Sequence, residues 1–408
     1  MSSPLRLLRC PVQTYHWGKT GERSLVGRLA KRGGHLASID DSTPYAELWM
    51  GTHPSKPSLL QDSGRQLREE IGDCGGSGGG GAELSFLFKV LSVETALSIQ
   101  AHPDKARARQ LRTDDPAHYP DSNHKPELAI ALTDFEALCC FRPLEEIDAF
   151  IAGVPELRAV VAGVDRVQTK ADLRAAYSAL MTSPREVFEP QLDALIKRLA
   201  AGGPAAESLG GVVTPTLRDV LLRLAQQYPA DIGLFSVFFL NLVTLRPGEA
   251  LFLAANEPHA YLSGDCVECM ATSDNVVRAG LTPKFKDVHT LVKMLTYEPT
   301  REPRFQPEAV SERGVSRFRP PVDDFAVVCC RAGKGDAHGP TKLDRSDSSG
   351  SIAIVVEGTG TLLCEGARDE LDVHEGSVVY IPPKAEVAVR GDGLLLFQAY
   401  TPAPGGSA

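Results

Sequence analysis

No apolar run in this chain approaches eighteen residues without interruption; the longest candidate is Ile232 to Leu242. A membrane-spanning helix takes about 20 such residues, so none is expected. The opening Met1-Ser-Ser-Pro-Leu-Arg-Leu-Leu-Arg-Cys-Pro has too short an apolar stretch for a secretory leader. Long basic blocks are also missing, and the formal net charge is −9. Nucleic acid is gripped through its phosphates by a positive surface, so no nucleic-acid partner is expected. A disulfide framework is lacking as well: nine cysteines are an odd number in 408 residues, and two adjacent pairs, Cys139-Cys140 and Cys329-Cys330, rarely cross-link internally. The pattern fits reduced thiols and a cytoplasmic location. Cys266-Val-Glu-Cys269 has no second pair near it, which argues against a zinc knuckle. The glycine tract 72–82 is followed by no Gly-Lys-Ser/Thr and reads as a flexible insertion rather than a phosphate loop.

What is present is a globular composition, 43% hydrophobic and 23% charged, in a chain long enough for two or three compact units. Residues 12 to 60 alternate short strand-like pieces with turns, and Glu22 to Ala30 reads as a short helix. Phe86 to Val93 and Glu94 to His102 read as core strands, with a helix from Asp104 to Arg112. Leu144 to Gln227 changes character. Five segments there (145–152, 155–162, 170–181, 185–200 and 216–227) carry apolar residues at three and four spacing, divided by prolines and glycines. Strand-like sequence returns at Phe235 to Leu245. Arg246-Pro-Gly-Glu, a short apolar strand and Pro258-His259 then follow the rhythm of a cupin-type roll. Glu357-Gly-Thr-Gly and Gly376-Ser-Val-Val-Tyr-Ile-Pro-Pro repeat that rhythm near the end. The expected fold is therefore mainly β with an inserted α-helical domain, built on cupin-type (jelly-roll) β-barrels. Its expected units are a discontinuous metal-binding catalytic domain of residues 1–142 and 229–310, a helical domain of 143–228, and a C-terminal β domain of 311–408 without metal.

On a strand, Gln100 and His102 point to one face. A carboxylate from Glu127 and an imidazole from His259 would complete a donor set suited to a divalent first-row metal, zinc first among them. A solvated strand face or a hydrogen-bonded core histidine explains the Gln-x-His spacing equally well. Only longer motifs separate these readings.

Tyr15-His-Trp-Gly, Ala46-Glu-Leu-Trp-Met-Gly-Thr-His-Pro, Phe88-Lys-Val-Leu-Ser, Leu97-Ser-Ile-Gln-Ala-His-Pro-Asp-Lys and Tyr119-Pro-Asp-Ser-Asn-His-Lys-Pro-Glu are such motifs. With Gly264-Asp-Cys-Val-Glu-Cys-Met-Ala and Asp274-Asn-Val-Val-Arg-Ala-Gly-Leu-Thr-Pro-Lys, they resemble the type I mannose-6-phosphate isomerases. The match covers residues 10 to 300 strongly and the remainder weakly. The resemblance implies an enzyme with one Zn2+ per chain that interconverts mannose 6-phosphate and fructose 6-phosphate through a cis-enediol, supplying GDP-mannose and protein glycosylation. It places the metal on Gln100, His102, Glu127 and His259 and the catalytic arginine at Arg278, for which a salt bridge to Asp274 or Asp287 is the plainer explanation. For the proton-transfer base, Glu268, Lys125 and a zinc-bound water remain open. Lys89, Ser98 and Lys284 are the expected phosphate anchors, Lys284 also being readable as solvated surface. The expected partner is a small phosphorylated sugar, and the expected state a monomer. A metal-dependent sugar-binding protein without turnover, or another cupin-type metalloenzyme, is the rival. Two departures stand out: Ala96 occupies a place where proline is usual, and the 72–82 tract replaces a more ordinary segment.

Overall fold

The structure, a computed structural model, describes residues 4–74, 83–202, 211–309, 314–332, 340–346 and 349–403. Gly72 to Cys74 close the helix Leu67–Cys74, while residues 75–82 of the glycine tract lie outside the described residues.

Two antiparallel sheets carry the molecule. The larger runs from Val12–Gln13 through Glu47–Met50, Phe86–Val93, His259–Ala271, Glu127–Ala131 and Ala250–Leu253 to Arg304–Phe305. Its longest strand, His259–Ala271, changes partners along its length. Residues 259 to 263 pair with Phe135–Phe141, and Gly264 to Ala271 pair with Phe86–Val93. The change falls at Gly264, whose φ of +111° is open to glycine, and where a Cβ would stand 2.5 Å from the Asp134 carbonyl oxygen. The second sheet runs from Leu59–Leu60 through Arg6–Arg9, Val378–Ile381, Ser351–Cys364, Val387–Tyr400 and Ala326–Arg331 to Val315–Phe318.

Neither sheet is a closed barrel, which corrects the cupin-type jelly-roll expectation. Closure requires the last strand to bond to the first, and among the described residues no ladder joins the two ends of either sheet. Three of the four end strands are only two residues long, and prolines at positions 11, 57 and 303 lie just ahead of them. Short, proline-flanked edges are a common way to stop a sheet. Pro-Gly turns between apolar strands specify antiparallel neighbours without specifying closure. The fold is mixed α/β, with a helical region beside two large open sheets.

Alternation divides the second sheet cleanly. Val327, Ile352, Ile354, Phe397 and Ala399 pack with Leu48, Met50, Phe88, Val90 and Val267 of the first sheet, while Val328, Ala353, Val355 and Leu396 fill a separate core on the opposite face. The helices fall at Leu144–Gly153, Pro155–Val160, Lys170–Met181, Arg185–Ala201 and Pro215–Gln227, within a residue or two of their periodic segments. Their apolar faces share one core with Ile99, Leu138 and Phe141 of the first sheet.

Three local expectations change, the first being that of Glu94 to His102 only Ile99–Ala101 is strand. Ile232–Phe238 is a tight helical run, and only Leu240–Leu245 is strand. An apolar run buried on every side shows no period that distinguishes the two states, and the Asp231 carboxylate, which accepts from the Gly233 and Leu281 amides, fixes the turn. The early helix is Leu25–Arg32, after a short turn at Gly21–Arg23, because Ser24 caps it by accepting from the Gly27 amide.

Candidate active site

The short strand Ile99–Ala101 lies between two others, so that His259 faces Gln100 on one side and Arg278 faces it on the other. Three motifs thus meet in one row. In the neighbouring ladder Lys89 sits between Trp49 and Glu268. Same-face neighbours across strands are within side-chain reach. Both rows open on one cavity of about 250 Å³, lined also by Tyr15, Trp17, Lys125, Glu127, Tyr261 and Lys284.

Glu127, which lines the cavity, is buried with His102 and His259, their donor atoms all within 4.8 Å of one another. The His102 Nδ1 donates to the Asn275 carbonyl at 2.8 Å, and the His259 Nδ1 donates to the Glu257 carbonyl at 3.0 Å. Each ring therefore turns a bare Nε2 lone pair inward, at 3.2 Å and 3.4 Å from the Glu127 carboxylate. Burial depresses His102 to about 4, so it is neutral near pH 7. Burial alone would raise the Glu127 carboxyl, but the charged groups around it, Lys125 among them, hold the acid well below its usual range. His102 Nε2 and Glu127 Oε2 have no hydrogen-bond partner among the described residues. Lone pairs facing one another in a buried site repel unless a cation lies between them, and two imidazoles with a carboxylate suit zinc. Gln100 lies beside them: its amide nitrogen is 3.5 Å from His259 Nε2, and Ser98 Oγ donates to its Oε1 at 3.1 Å.

A second charge cluster lies alongside. The Lys89 ammonium, nearly buried, is 3.0 Å from Glu268 and 3.5 Å from Glu47, and stands over the Trp49 ring. Burial works against its charge, yet the surrounding carboxylates keep it protonated. Lys89 is thus enclosed by acids, unlike the expected phosphate anchor. Burial raises the Glu268 carboxyl despite Lys89, and Tyr261 Oη donates to its other oxygen at 2.9 Å. Lys125 Nζ is 3.5 Å from Glu127 Oε1.

The opposite wall is cationic. Arg278 forms no ion pair among the described residues: Asp287 accepts from Tyr119 and the Thr290 amide, and Asp274 faces His53. Neither of the alternative salt bridges, to Asp274 or Asp287, is made among the described residues. Burial, with Arg278 as a close like charge, lowers the Lys284 ammonium. Two neighbouring cations without carboxylate partners make an anion site.

Tyr261, Glu47 and Asn275 escaped the sequence reading. Tyr261 was recoverable, since it lies two residues past His259 on the same strand face. Asn275 acts through its backbone carbonyl and left no side-chain signal. Ala96, where proline is usual, donates its N–H to Gln227 at 3.1 Å and accepts from Tyr228, tying this turn to the helical region with a bond proline cannot make.

A single buried His–Glu–His centre below a polar, cation-walled cleft, on an open antiparallel sheet with helices beside it, defines a mixed α/β metalloenzyme. Known proteins narrow the class. The family described as phosphomannose isomerase type I, catalytic domain, matches residues 5–144, and its helical insertion domain matches residues 155–240. Mannose-6-phosphate isomerase of Bos taurus is 45% identical over 96% of this chain and 97% of its own, and that of Ogataea parapolymorpha is 42% identical over 98% and 99%. Mannose 6-phosphate isomerase from Salmonella typhimurium, crystallised with fructose 6-phosphate and zinc, superposes with a TM-score of 0.81 at 31% identity, covering 98% of this chain and all of its own. The chain belongs to the type I phosphomannose isomerase family.

Proposed function

We propose that this chain is a zinc-dependent isomerase interconverting D-mannose 6-phosphate and D-fructose 6-phosphate. The observation that carries this reading is the buried His102, Glu127 and His259 triangle, in which His102 Nε2 and Glu127 Oε2 are unpartnered among the described residues, beside a cleft lined by Arg278 and Lys284. The family relationship supplies the substrate. Those three residues and the Gln100 amide would hold one ion, which when bound polarises substrate oxygens and stabilises negative charge on them.

The reaction moves a hydrogen from C2 to C1. A base takes the C2 proton; the electron pair forms the C1–C2 double bond while the C1 carbonyl pair moves to O1, which gains a proton, and the cis-enediol then loses the O2 proton as the C2 carbonyl forms and C1 takes a proton. Glu268 fits the base: burial lifts its carboxyl toward the working range, and Lys89 and Tyr261 hold it in one orientation. Lys125 stands beside Glu127 as a proton donor for the oxygens that exchange hydrogen. Arg278 offers a fixed planar cation to developing negative charge. Lys284 and Ser98 are assigned to the phosphate end, where they supply affinity for the substrate.

The units 1–142 with 229–310, 143–228 and 311–408 are proposed as functional divisions. The family matches at 5–144 and 155–240 support the first boundary, whereas Arg6–Arg9 pairs with Val378–Ile381 in the second sheet. A cytoplasmic monomer that binds no nucleic acid is likewise proposed, on the net charge of −9 and the free thiols. No described helix is long and apolar enough to cross a membrane.

Metal analysis of the purified protein, with a coupled assay on mannose 6-phosphate before and after chelation, tests the central reading. About one zinc per chain is expected, with turnover lost on chelation and regained with zinc. Zinc and sugar-phosphate binding without turnover would leave a binding protein instead.

A further inference from the structure

Lys284 lies in Thr282-Pro-Lys-Phe-Lys286, whose last four residues are exposed. Its far end is pinned by Tyr119 Oη, which donates to Asp287 at 2.8 Å, and by Lys286, 3.7 Å from Asp231. Near the apex, Phe285 is 51% exposed, one of three large apolar side chains so placed among the described residues. It has one ring partner. The His118 imidazole stacks on it with centroids 3.8 Å apart and planes 19° apart. Asp115 fixes that imidazole, its Oδ2 lying 2.8 Å from His118 Nδ1. The turn 115–119 therefore touches the loop twice, at Phe285 and at Asp287.

The geometry points to a clasp: His118 and Phe285, outside the cavity, hold the loop so that Lys284 stays over the cleft, and are positioning residues for the substrate's phosphate. This rests on the assignment of Lys284 to the phosphate. An aromatic pair holds only modestly, so its loss frees the loop without unfolding the protein. A loosened anchor weakens binding more than chemistry.

Phe285→Ala and His118→Ala are each expected to raise the KM for mannose 6-phosphate about three- to tenfold with kcat nearly unchanged. The inhibition constant of inorganic phosphate should rise in parallel, with zinc content and melting temperature held. The double variant should be no worse than either single one, and Phe285→Tyr and His118→Phe should restore the KM. Lys284→Ala separates the two layers. If it raises KM and the phosphate constant while Phe285→Ala leaves both unchanged, the clasp is wrong and the anchor stands. If Lys284→Ala itself changes neither, the anchor fails and the clasp with it. A fall in kcat or zinc content in Phe285→Ala would overturn the positioning role.

Discussion

His102 gives its one ring N–H to the Asn275 carbonyl and His259 gives its own to Glu257, so both present lone pairs to Glu127. Removing either imidazole leaves too few donors for a stable site. His102→Ala is expected to lose zinc and nearly all turnover, whereas Arg278→Ala keeps zinc and fold and loses most of its rate. Metal content and kcat measured together check this; zinc retained in His102→Ala, or full turnover in Arg278→Ala, would contradict the assignments. At this scale the sequence was informative about which residues gather, because Gln100 and His102 share a strand face, a motif carried Glu127, and Pro258-His259 followed a strand rhythm. It was silent about pairing. Nothing in Phe88-Lys-Val announces that Lys89 lies between Glu47 and Glu268, since those acids arrive from other strands.

The strand His259–Ala271 serves both halves of the site, with His259 and Tyr261 before Gly264 and Glu268 after it. At Gly264 a side chain meets both an unfavourable φ and the Asp134 carbonyl. Gly264→Ala is expected to cost about 2 kcal/mol or more, combining strain with displacement of the neighbouring strand. It should also weaken zinc binding, because the two ends of the strand would lose their relative set. Urea unfolding with metal analysis checks this, and an unchanged midpoint would show that the bend tolerates a Cβ. Helices were the most readable elements, their apolar residues recurring every three or four positions, with Thr169, Asp104 and Thr214 capping where helix starts were expected. Phe235 to Phe238, expected as strand, are helical instead, because burial on all sides erases the period.

At the scale of the whole molecule, the two sheets are joined by buried apolar faces and by a few polar links. His35, in the loop after the helix Leu25–Arg32, accepts at Nδ1 from the Cys10 amide and donates from Nε2 to the Gly376 carbonyl. Burial depresses this imidazole from 6.5 to about 4. The unfolded chain therefore binds a proton that the folded chain refuses between those values. The stability His35 contributes is fully present above about pH 6.5 and is lost as pH falls toward 4, by at most about 3 kcal/mol. His35→Gln should flatten the pH dependence of the unfolding free energy over that window; an unchanged slope would locate acid sensitivity elsewhere. By itself the sequence determined the helical insertion, the β-rich flanks and the metal-ligand candidates, because periodicity, caps and long motifs are local and survive without a partner. Tertiary structure alone decided that the sheets stay open, that Arg6–Arg9 joins the C-terminal sheet, and that Lys89 faces acids while Arg278 and Lys284 face the cleft. Those outcomes depend on which distant strands pair and in what register, and a strand's own residues set its faces but not its neighbours.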